Sequence, residues 1–227
     1  MNDKKNYPDQ DQLNRELAAH ICDVLSADVE KTGSASLAVS GGNTPKGLFR
    51  CLSMSEISWE KVTIVLVDER WVDTQSPDSN ERLVREHLAQ NAALETLVVG
   101  LKTDHQRAED GLREAQQRIS LLTKPFTAVI LGMGGDGHTA SWFPKADNLK
   151  TLLDPENTDE VAITDPVTAP HKRATLTLSA VLNSREVIVH ITGDEKRAVF
   201  ESAQDRGHPI AAILEQSKTP VTLWWAP

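Results

Sequence analysis

The chain has 227 residues, of which 39% are hydrophobic and 25% are charged, and its formal net charge is −9. This length and globular composition predict one domain with a single core over residues 1–227. An acidic balance without a run of Lys or Arg argues against nucleic acid as a partner, and no apolar stretch reaches the ~18 residues of a membrane span. Because the N-terminal segment also lacks an apolar signal region, we expect a cytoplasmic protein that does not contact membranes.

The two cysteines, Cys22 and Cys51, are isolated from each other and from any histidine in the sequence. Neither has the C-x-x-C or Cys/His spacing of a zinc site or a redox pair, so two buried thiols are predicted. No other set of potential ligands has metal-site spacing, and no metal is expected.

Apolar runs alternate with amphipathic segments along the chain, beginning with a helical pattern over residues 10–30. Further helices are predicted after Pro45 and at residues 80–90, 106–122 and 194–203. Strands are predicted at residues 36–40, 62–68, 96–100, 126–132, 161–164, 174–179, 186–193 and 221–225. This order favours an α/β fold with a Rossmann-like, mostly parallel sheet that has helices on both faces.

In such a sheet, ligands bind outside the carboxyl ends of the strands, where loops lead into helices. One glycine-rich turn occupies that position after the first long apolar strand, and Pro45 follows it at a predicted helix start. Backbone N–H groups of such a turn can bind a phosphate at the helix N-terminus. The same residues would also suit an ordinary turn with an N-cap followed by Pro at the first helical position. The candidates for anion binding are Ser40, Gly41, Gly42, Asn43 and Thr44.

Charged residues appear abruptly after the next strand, at Asp68, Glu69 and Arg70. Alone, they would be interpreted as a solvated acidic turn. Arg70 gains importance if it points into the same cleft as the glycine turn, because a guanidinium can bind phosphate or polarise a carbonyl group.

The stretch VILGMGGDGHTASWFP contains His138, the strongest catalytic candidate among the seven histidines. His138 follows a glycine-rich strand end and lies two residues after Asp136. A histidine in a cleft can accept a proton from water, and a neighbouring carboxylate can orient its ring. A structural role in the turn is the alternative. His190, by contrast, lies within an apolar strand and is interpreted as a core residue.

The glycines of this stretch also match G-x-G-x-x-G, but binding of a nicotinamide dinucleotide is not favoured. That fingerprint needs an acidic residue about 20 positions on, at the end of the next strand. The residues at that distance, Asp154 and Glu156, lie in a predicted loop. A serine nucleophile is not favoured either, because the chain has no G-x-S-x-G motif.

Two further groups of polar residues follow later in the chain. Lys172, Arg173 and Thr175 surround the start of a predicted strand, and Lys196 lies near the start of a predicted helix. Together with the first glycine turn, these residues could bind a phosphate group despite the acidic composition.

Taken in order, these motifs resemble the 6-phosphogluconolactonases of the glucosamine-6-phosphate deaminase/isomerase-like superfamily. The resemblance extends over essentially the whole chain, through SGGNTP, VDERWV, GMGGDGHTASWFP, RATLT and GDEKRAVF. Arg70 and the residues after His138 are similar to the lactonases rather than to the deaminases. The sequence departs from the family pattern at Asp73, Trp142, Lys145 and Ala174.

The resemblance implies a glucosamine-6-phosphate deaminase/ribose-5-phosphate isomerase-like fold and the hydrolysis of 6-phospho-D-glucono-1,5-lactone in the oxidative pentose phosphate pathway. The ligand would be a small phosphosugar lactone, without cofactor or metal, and the protein would be a monomer or weak homo-oligomer. His138, oriented by Asp136, would activate water. N–H groups near Gly134 and Gly135, with Arg70, would stabilise the oxyanion, and the phosphate would be held by residues 40–44, Arg173 and Lys196.

Two alternatives remain open from the sequence. One is the sugar-phosphate deaminase or isomerase activity of the same superfamily. The other is a non-catalytic sugar-phosphate-sensing domain, which is less favoured because both Asp136 and His138 are present and no basic DNA-binding segment precedes residue 36.

Overall fold

A computed structural model describes residues 3–227 and has a central sheet of seven parallel strands. The sheet has the order β1-β10-β9-β6-β2-β3-β5. Its strands are β1 (Asp3–Asn6), β2 (Ala35–Val39), β3 (Val62–Leu66), β5 (Leu97–Val99), β6 (Ala128–Leu131), β9 (Val187–Thr192) and β10 (Val221–Ala226). Met1 and Asn2, which belong to the expected domain of residues 1–227, lie outside the described residues.

Helices flank this sheet, which confirms the predicted mostly parallel α/β architecture. The longest helix begins where the side chain of Asp9 accepts a hydrogen bond from the Gln12 N–H at 2.7 Å, and it ends at Gly33 with φ of 87°. The helices are α1 (Gln10–Thr32), α2 (Pro45–Ser53), α3 (Asn80–His87), α4 (Ala108–Ser120), α5 (Leu149–Leu152), α6 (Leu178–Leu182), α7 (Asp194–Glu201), α8 (Ala203–Arg206) and α9 (Ala211–Glu215).

A second, antiparallel sheet of three short strands is the main departure from the predicted topology. It has the order β4-β8-β7 and consists of β4 (Asp68–Arg70), β7 (Val161–Thr164) and β8 (Arg173–Leu176). The apolar run at residues 62–68 was predicted as one strand, but it divides at Val67. The N–H of Val67 donates to Val39 in the central sheet, whereas its carbonyl accepts from Leu176 in the small sheet. Val67 is therefore the point at which the chain passes from one sheet to the other.

The strand β1 was not predicted, because its four residues are polar and carry no apolar alternation. It lies at one edge of the central sheet and pairs with β10 alone. Polar and charged side chains are common on edge strands, since they discourage pairing with further chains.

The core lies between the central sheet and its helices and buries most of the apolar strand residues, whereas Leu97 on the edge strand β5 is exposed. The expectation of two buried thiols is wrong in degree: Cys22 and Cys51 are free and only partly buried. That burial raises the pKa of both thiols. Within the described residues, no helix is long and apolar enough to cross a membrane.

Candidate active site

A cleft of about 180 Å³ opens at the carboxyl ends of β2, β3, β6 and β9, where ligands bind in parallel α/β sheets. Two glycine-rich turns border it, the first glycine turn (residues 40–44) after β2 and the second glycine turn (residues 132–138) after β6. The cleft is lined by Ser40, Gly41, Gly42, Asn43, Thr44, Asp68, Arg70, Asn80, Gly132, Met133, Gly134, His138, Thr139, Ala140 and Lys196.

His138 and Asp136 form a close pair in the second glycine turn. The distance between His138 Nδ1 and Asp136 Oδ1 is 2.5 Å, and the ring also stacks on Phe143 with centroids 4.4 Å apart. Burial acts to raise the pKa of Asp136, but the charge and hydrogen bonds of His138 outweigh it, so this pKa lies below its ordinary value. The carboxylate therefore orients the ring and leaves Nε2 free of this bond, while Asp136 itself does not line the cleft.

The second glycine turn is closed by its own backbone. The N–H of Gly134 donates to the carbonyl of His138 at 2.9 Å, and the N–H of Gly137 donates to Gly134. A side chain at Gly134 would overlap with the His138 ring and approach Asp136. The expectation that Gly134 donates its N–H to an oxyanion is therefore not supported, because that N–H is already used. Gly135 does not line the cleft.

The first glycine turn, in contrast, leaves backbone N–H donors unused. The N–H groups of Gly41, Gly42 and Asn43 have no acceptor among residues 3–227. Gly42 has φ of 93°, and a side chain at Gly41 would overlap with Asn80. Thr44 occupies the N-cap position of α2, yet its side chain makes no capping bond. These features favour anion binding over the alternative of a purely structural N-cap.

Ser40 has a different role from its neighbours in the first glycine turn. Its hydroxyl donates to the carbonyl of Ile130 at 3.0 Å and accepts from the N–H of Gly132 at 3.2 Å. The first bond reaches the end of β6 and the second reaches the second glycine turn, so Ser40 connects the two turns within the protein.

Lys196 lies in α7 and extends its ammonium group toward the first glycine turn. Its Nζ is 3.5 Å from the hydroxyl of Thr44, and both residues line the cleft. Burial lowers the pKa of Lys196. A partly buried cation beside unpaired N–H groups is a strong site for an anion.

The interpretation of residues 68–70 as a solvated acidic turn is wrong. Glu69 is 0% exposed, and its carboxylate accepts hydrogen bonds from Ser79 and from the N–H groups of Asn80, Glu81 and Arg70. Burial raises the pKa of Glu69, although these hydrogen bonds oppose the rise. The side chain therefore holds the N-terminus of α3 against the end of β4.

The two arginines that were predicted from separate motifs are neighbours, but only one reaches the cleft. Arg70 lines it and donates to the carbonyl of Asp78 at 2.6 Å. Arg173 pairs with Arg70 across β4 and β8, is 5% exposed, and donates to the carbonyl of His171. Burial and the charge of Arg70 lower the pKa of Arg173. Arg173 is not among the residues that line the cleft, and its direct contact with a phosphate stays a prediction.

Other polar candidates lie away from the cleft. Lys172 forms an ion pair with Glu109. Thr175 is fully buried in β8. His190 is 2% exposed in β9, as expected of a core residue, and burial lowers its pKa to about 4. The described part of the chain contains no group of three or more His, Cys, Asp or Glu that could hold a metal ion.

The cleft also contains polar residues that were not among the predicted site residues, above all Asp68, Asn80 and Thr139. Asp68 was considered only with its neighbours in an acidic turn. Asn80 was placed at the start of a predicted helix and had no assigned role. Thr139 donates to the carbonyl of Gly132 at 2.7 Å and so supports the second glycine turn. For Asp68, the available signal was its position at the end of an apolar strand.

Comparison with solved structures first defines the class of fold. A monomeric glucosamine-6-phosphate deaminase aligns over 99% of this chain and 97% of its own, with a TM-score of 0.79 and 16% identity. This likeness shows the fold alone and confirms the expected deaminase-like architecture.

Sequence comparison then gives the family. Residues 8–224 match the profile described as glucosamine-6-phosphate isomerases/6-phosphogluconolactonase, and the chain belongs to this family. A 6-phosphogluconolactonase of Mesorhizobium japonicum is 41% identical over 97% of this chain and 94% of its own length. The structure of a 6-phosphogluconolactonase from Shewanella baltica covers all of this chain and 98% of its own, with a TM-score of 0.97 and 43% identity. The resemblance inferred from the motifs is confirmed, and the deaminase alternative is not favoured.

Proposed function

We propose that this protein hydrolyses 6-phospho-D-glucono-1,5-lactone to 6-phospho-D-gluconate by general-base activation of water. The observation that carries the proposal is the Asp136–His138 pair beside a cleft that also contains unpaired N–H groups and Lys196. A base and an anion site within one cleft are what the hydrolysis of a phosphorylated lactone requires.

His138 is the general base. Its Nδ1 is bound to Asp136, so Nε2 accepts the proton of the water that attacks the lactone carbonyl carbon. The carboxylate fixes the ring and stabilises the imidazolium that forms. When the tetrahedral intermediate collapses, the bond to the ring oxygen breaks and the imidazolium returns the proton to that oxygen.

Arg70 stabilises the oxyanion. Its guanidinium lines the cleft and is anchored on the carbonyl of Asp78. A donor that is held in place before the reaction stabilises developing charge more effectively than water can. Gly134 takes no part in this step, because its N–H is bonded within the turn.

The phosphate binds at the first glycine turn. The unpaired N–H groups of Gly41, Gly42 and Asn43, the N-terminus of α2, and Lys196 converge there. Arg173 pairs with Arg70 across the small sheet and adds a second positive charge near it. Such a local concentration of donors can bind a phosphate of charge near −2 despite the net charge of −9.

A time-resolved assay of lactone disappearance, with and without the protein at mildly acidic pH, tests the proposal. The lactone also hydrolyses spontaneously, so the protein must accelerate its loss above that background. Equal rates in the two samples would contradict the proposed function. Release of ammonia from glucosamine 6-phosphate, measured in parallel, would point to the deaminase activity instead.

The expected cytoplasmic location and monomeric or weakly associated state stay predictions. Size-exclusion chromatography with light scattering over a range of concentrations would test the latter, since weak association gives a mass that rises with concentration.

A further inference from the structure

Two loops next to the small sheet contact each other near Arg70, which lines the cleft. They are the β4–α3 loop (residues 71–79) and the β7–β8 loop (residues 165–172). Their side-chain contact is between His171 Nε2 and Asp78 Oδ2, which lie 3.4 Å apart. The two side chains are partly exposed, at 38% for His171 and 57% for Asp78. The proposed hydrolysis gives neither of them a role.

The backbones of the same two residues accept the two arginines of the small sheet. Arg70 donates from Nη1 to the carbonyl of Asp78 at 2.6 Å, and Arg173 donates from Nη1 to the carbonyl of His171 at 3.1 Å. Arg70 and Arg173 are themselves partners across β4 and β8. The four residues therefore form a closed ring, in which the contact between His171 and Asp78 joins the two loops.

The ring brings two positive charges together, and Asp78 is one of the carboxylates that offset them. Burial and the charge of Arg70 lower the pKa of Arg173. The carboxylates of Asp68, Glu69 and Asp78 oppose this lowering of the pKa. Asp68 and Glu69 are buried, whereas Asp78 is exposed on the β4–α3 loop. The position of Asp78 beside the arginines therefore depends on what this loop contacts.

His171 has a backbone conformation that few residues other than glycine adopt. Its φ is 68°, in the left-handed region. A residue held there costs free energy and persists only where the surrounding contacts fix it. The contacts of His171 are with the carboxylate of Asp78 and with the guanidinium of Arg173. The strained residue of the β7–β8 loop is therefore the one that reaches the other loop.

We infer that His171 is a positioning residue for Arg70: its side chain holds Asp78, and the carbonyl of Asp78 holds the guanidinium at the cleft. This inference rests on the proposed function and adds a residue that acts through Arg70 rather than on the substrate. Without the contact from His171, the β4–α3 loop can shift, and Arg70 loses its fixed acceptor. A donor that is not held in place before the reaction stabilises an oxyanion less effectively.

His171→Gly separates this role from a structural one. Glycine adopts positive φ without strain, so the variant removes the side chain and should leave the free energy of unfolding almost unchanged. A partly exposed pair favours the positioned arrangement by about two- to fivefold, and kcat should fall by that factor. KM should change little, because the first glycine turn is intact. Asn91→Gly also replaces a residue of positive φ, but outside the cleft, and should keep the wild-type kcat.

The loss of kcat must depend on Arg70. In an Arg70→Met background, His171→Gly should cause no further loss, because no guanidinium remains to be positioned. The same fold loss in both backgrounds would overturn the inference, since His171 would then act on another part of the cleft.

NMR relaxation of the Arg70 Nε–H group measures the positioning without catalysis, and the signal is assigned by its absence from Arg70→Met. The group should be rigid in the wild type and gain motion on the picosecond to nanosecond timescale in His171→Gly. Unchanged relaxation would overturn the inference. If the wild type does not accelerate lactone hydrolysis, the proposed function fails, and the NMR comparison still decides whether His171 positions Arg70.

Discussion

The two glycine-rich turns at the cleft use glycine for opposite purposes. In the first glycine turn, the N–H groups of Gly41, Gly42 and Asn43 have no acceptor within the described chain. In the second, Gly134 and Gly137 direct their N–H groups into the turn itself. The first turn can therefore offer backbone donors to a ligand, whereas the second presents a side-chain pair and uses glycine to make room for it.

This difference explains why the G-x-G-x-x-G spacing of the second turn does not indicate a nucleotide site. A phosphate-binding loop needs free N–H groups, but the N–H of Gly132 is bonded to Ser40 and that of Gly134 to His138. A side chain at Gly137 would overlap with His208, and φ there is 77°. The spacing therefore reflects steric and conformational needs around His138.

Replacing His138 should have the largest effect on catalysis, because the second turn places this side chain in the cleft and Asp136 orients it. His138→Ala should lower kcat by about 10²- to 10⁴-fold, the usual contribution of a general base. Binding of the phosphate should change little, since the first turn is intact. Steady-state kinetics corrected for spontaneous hydrolysis would measure this.

His105→Ala is the matched control, because His105 is exposed and outside the cleft. It should keep wild-type kinetics. A His138→Ala variant within a factor of two of the wild type would remove His138 from the mechanism.

Gly134→Ala tests whether glycine is needed for space in the second turn. A Cβ there would overlap with the His138 ring and displace it, and a shift of about 1 Å can cost roughly 10²-fold in rate. We expect kcat to fall by that order and KM to change little. Gly135→Ala is the control, since a Cβ at that neighbour meets nothing within 4 Å. If both variants keep full activity, the steric explanation of the turn is wrong.

Lys196→Met tests the anion-binding role of the first turn. Loss of a charge-assisted hydrogen bond to phosphate should raise KM by about 10- to 100-fold, with a smaller effect on kcat. Lys172→Met provides the comparison, because Lys172 is bound to Glu109 outside the cleft and should leave KM unchanged. The reverse pattern, with KM raised only by Lys172→Met, would move the phosphate site to β8.

The positions of the two turns could be predicted from the sequence because both follow strongly apolar strands. Buried strands of a parallel sheet are continuous apolar runs in the sequence. The first glycine or charged residue after such a run marks the carboxyl end of the strand. His138 and Asp136 also belong to one local turn, so their proximity follows from two residues of separation. A contact between residues this close in the chain can be predicted from the local sequence alone.

The remaining site residues depend on contacts between segments that are distant in the sequence. Glu69 was interpreted as solvated, because nothing near it in the sequence reveals the N-terminus of α3 that it holds. Arg173 was assigned to the phosphate from its own motif, but its pairing with Arg70 depends on the switch of the chain into the small sheet at Val67, which no local pattern reveals. Asp68 needed Ser141, 73 residues away, to be recognised as a fixed acceptor.

Ser40→Ala should have the smallest effect on catalysis of these variants. It tests the hydrogen bonds that connect the two turns rather than the catalytic or phosphate-binding groups of either turn. The hydroxyl bonds to Ile130 and Gly132, so its loss leaves the Gly132 N–H without its acceptor. We expect the free energy of unfolding to fall by about 1–2 kcal/mol, with KM within about threefold of the wild type. Denaturant unfolding and steady-state kinetics would measure the two quantities, with the exposed Ser120→Ala as control. A large rise in KM at unchanged stability would instead make Ser40 a direct phosphate ligand, as the sequence alone suggests.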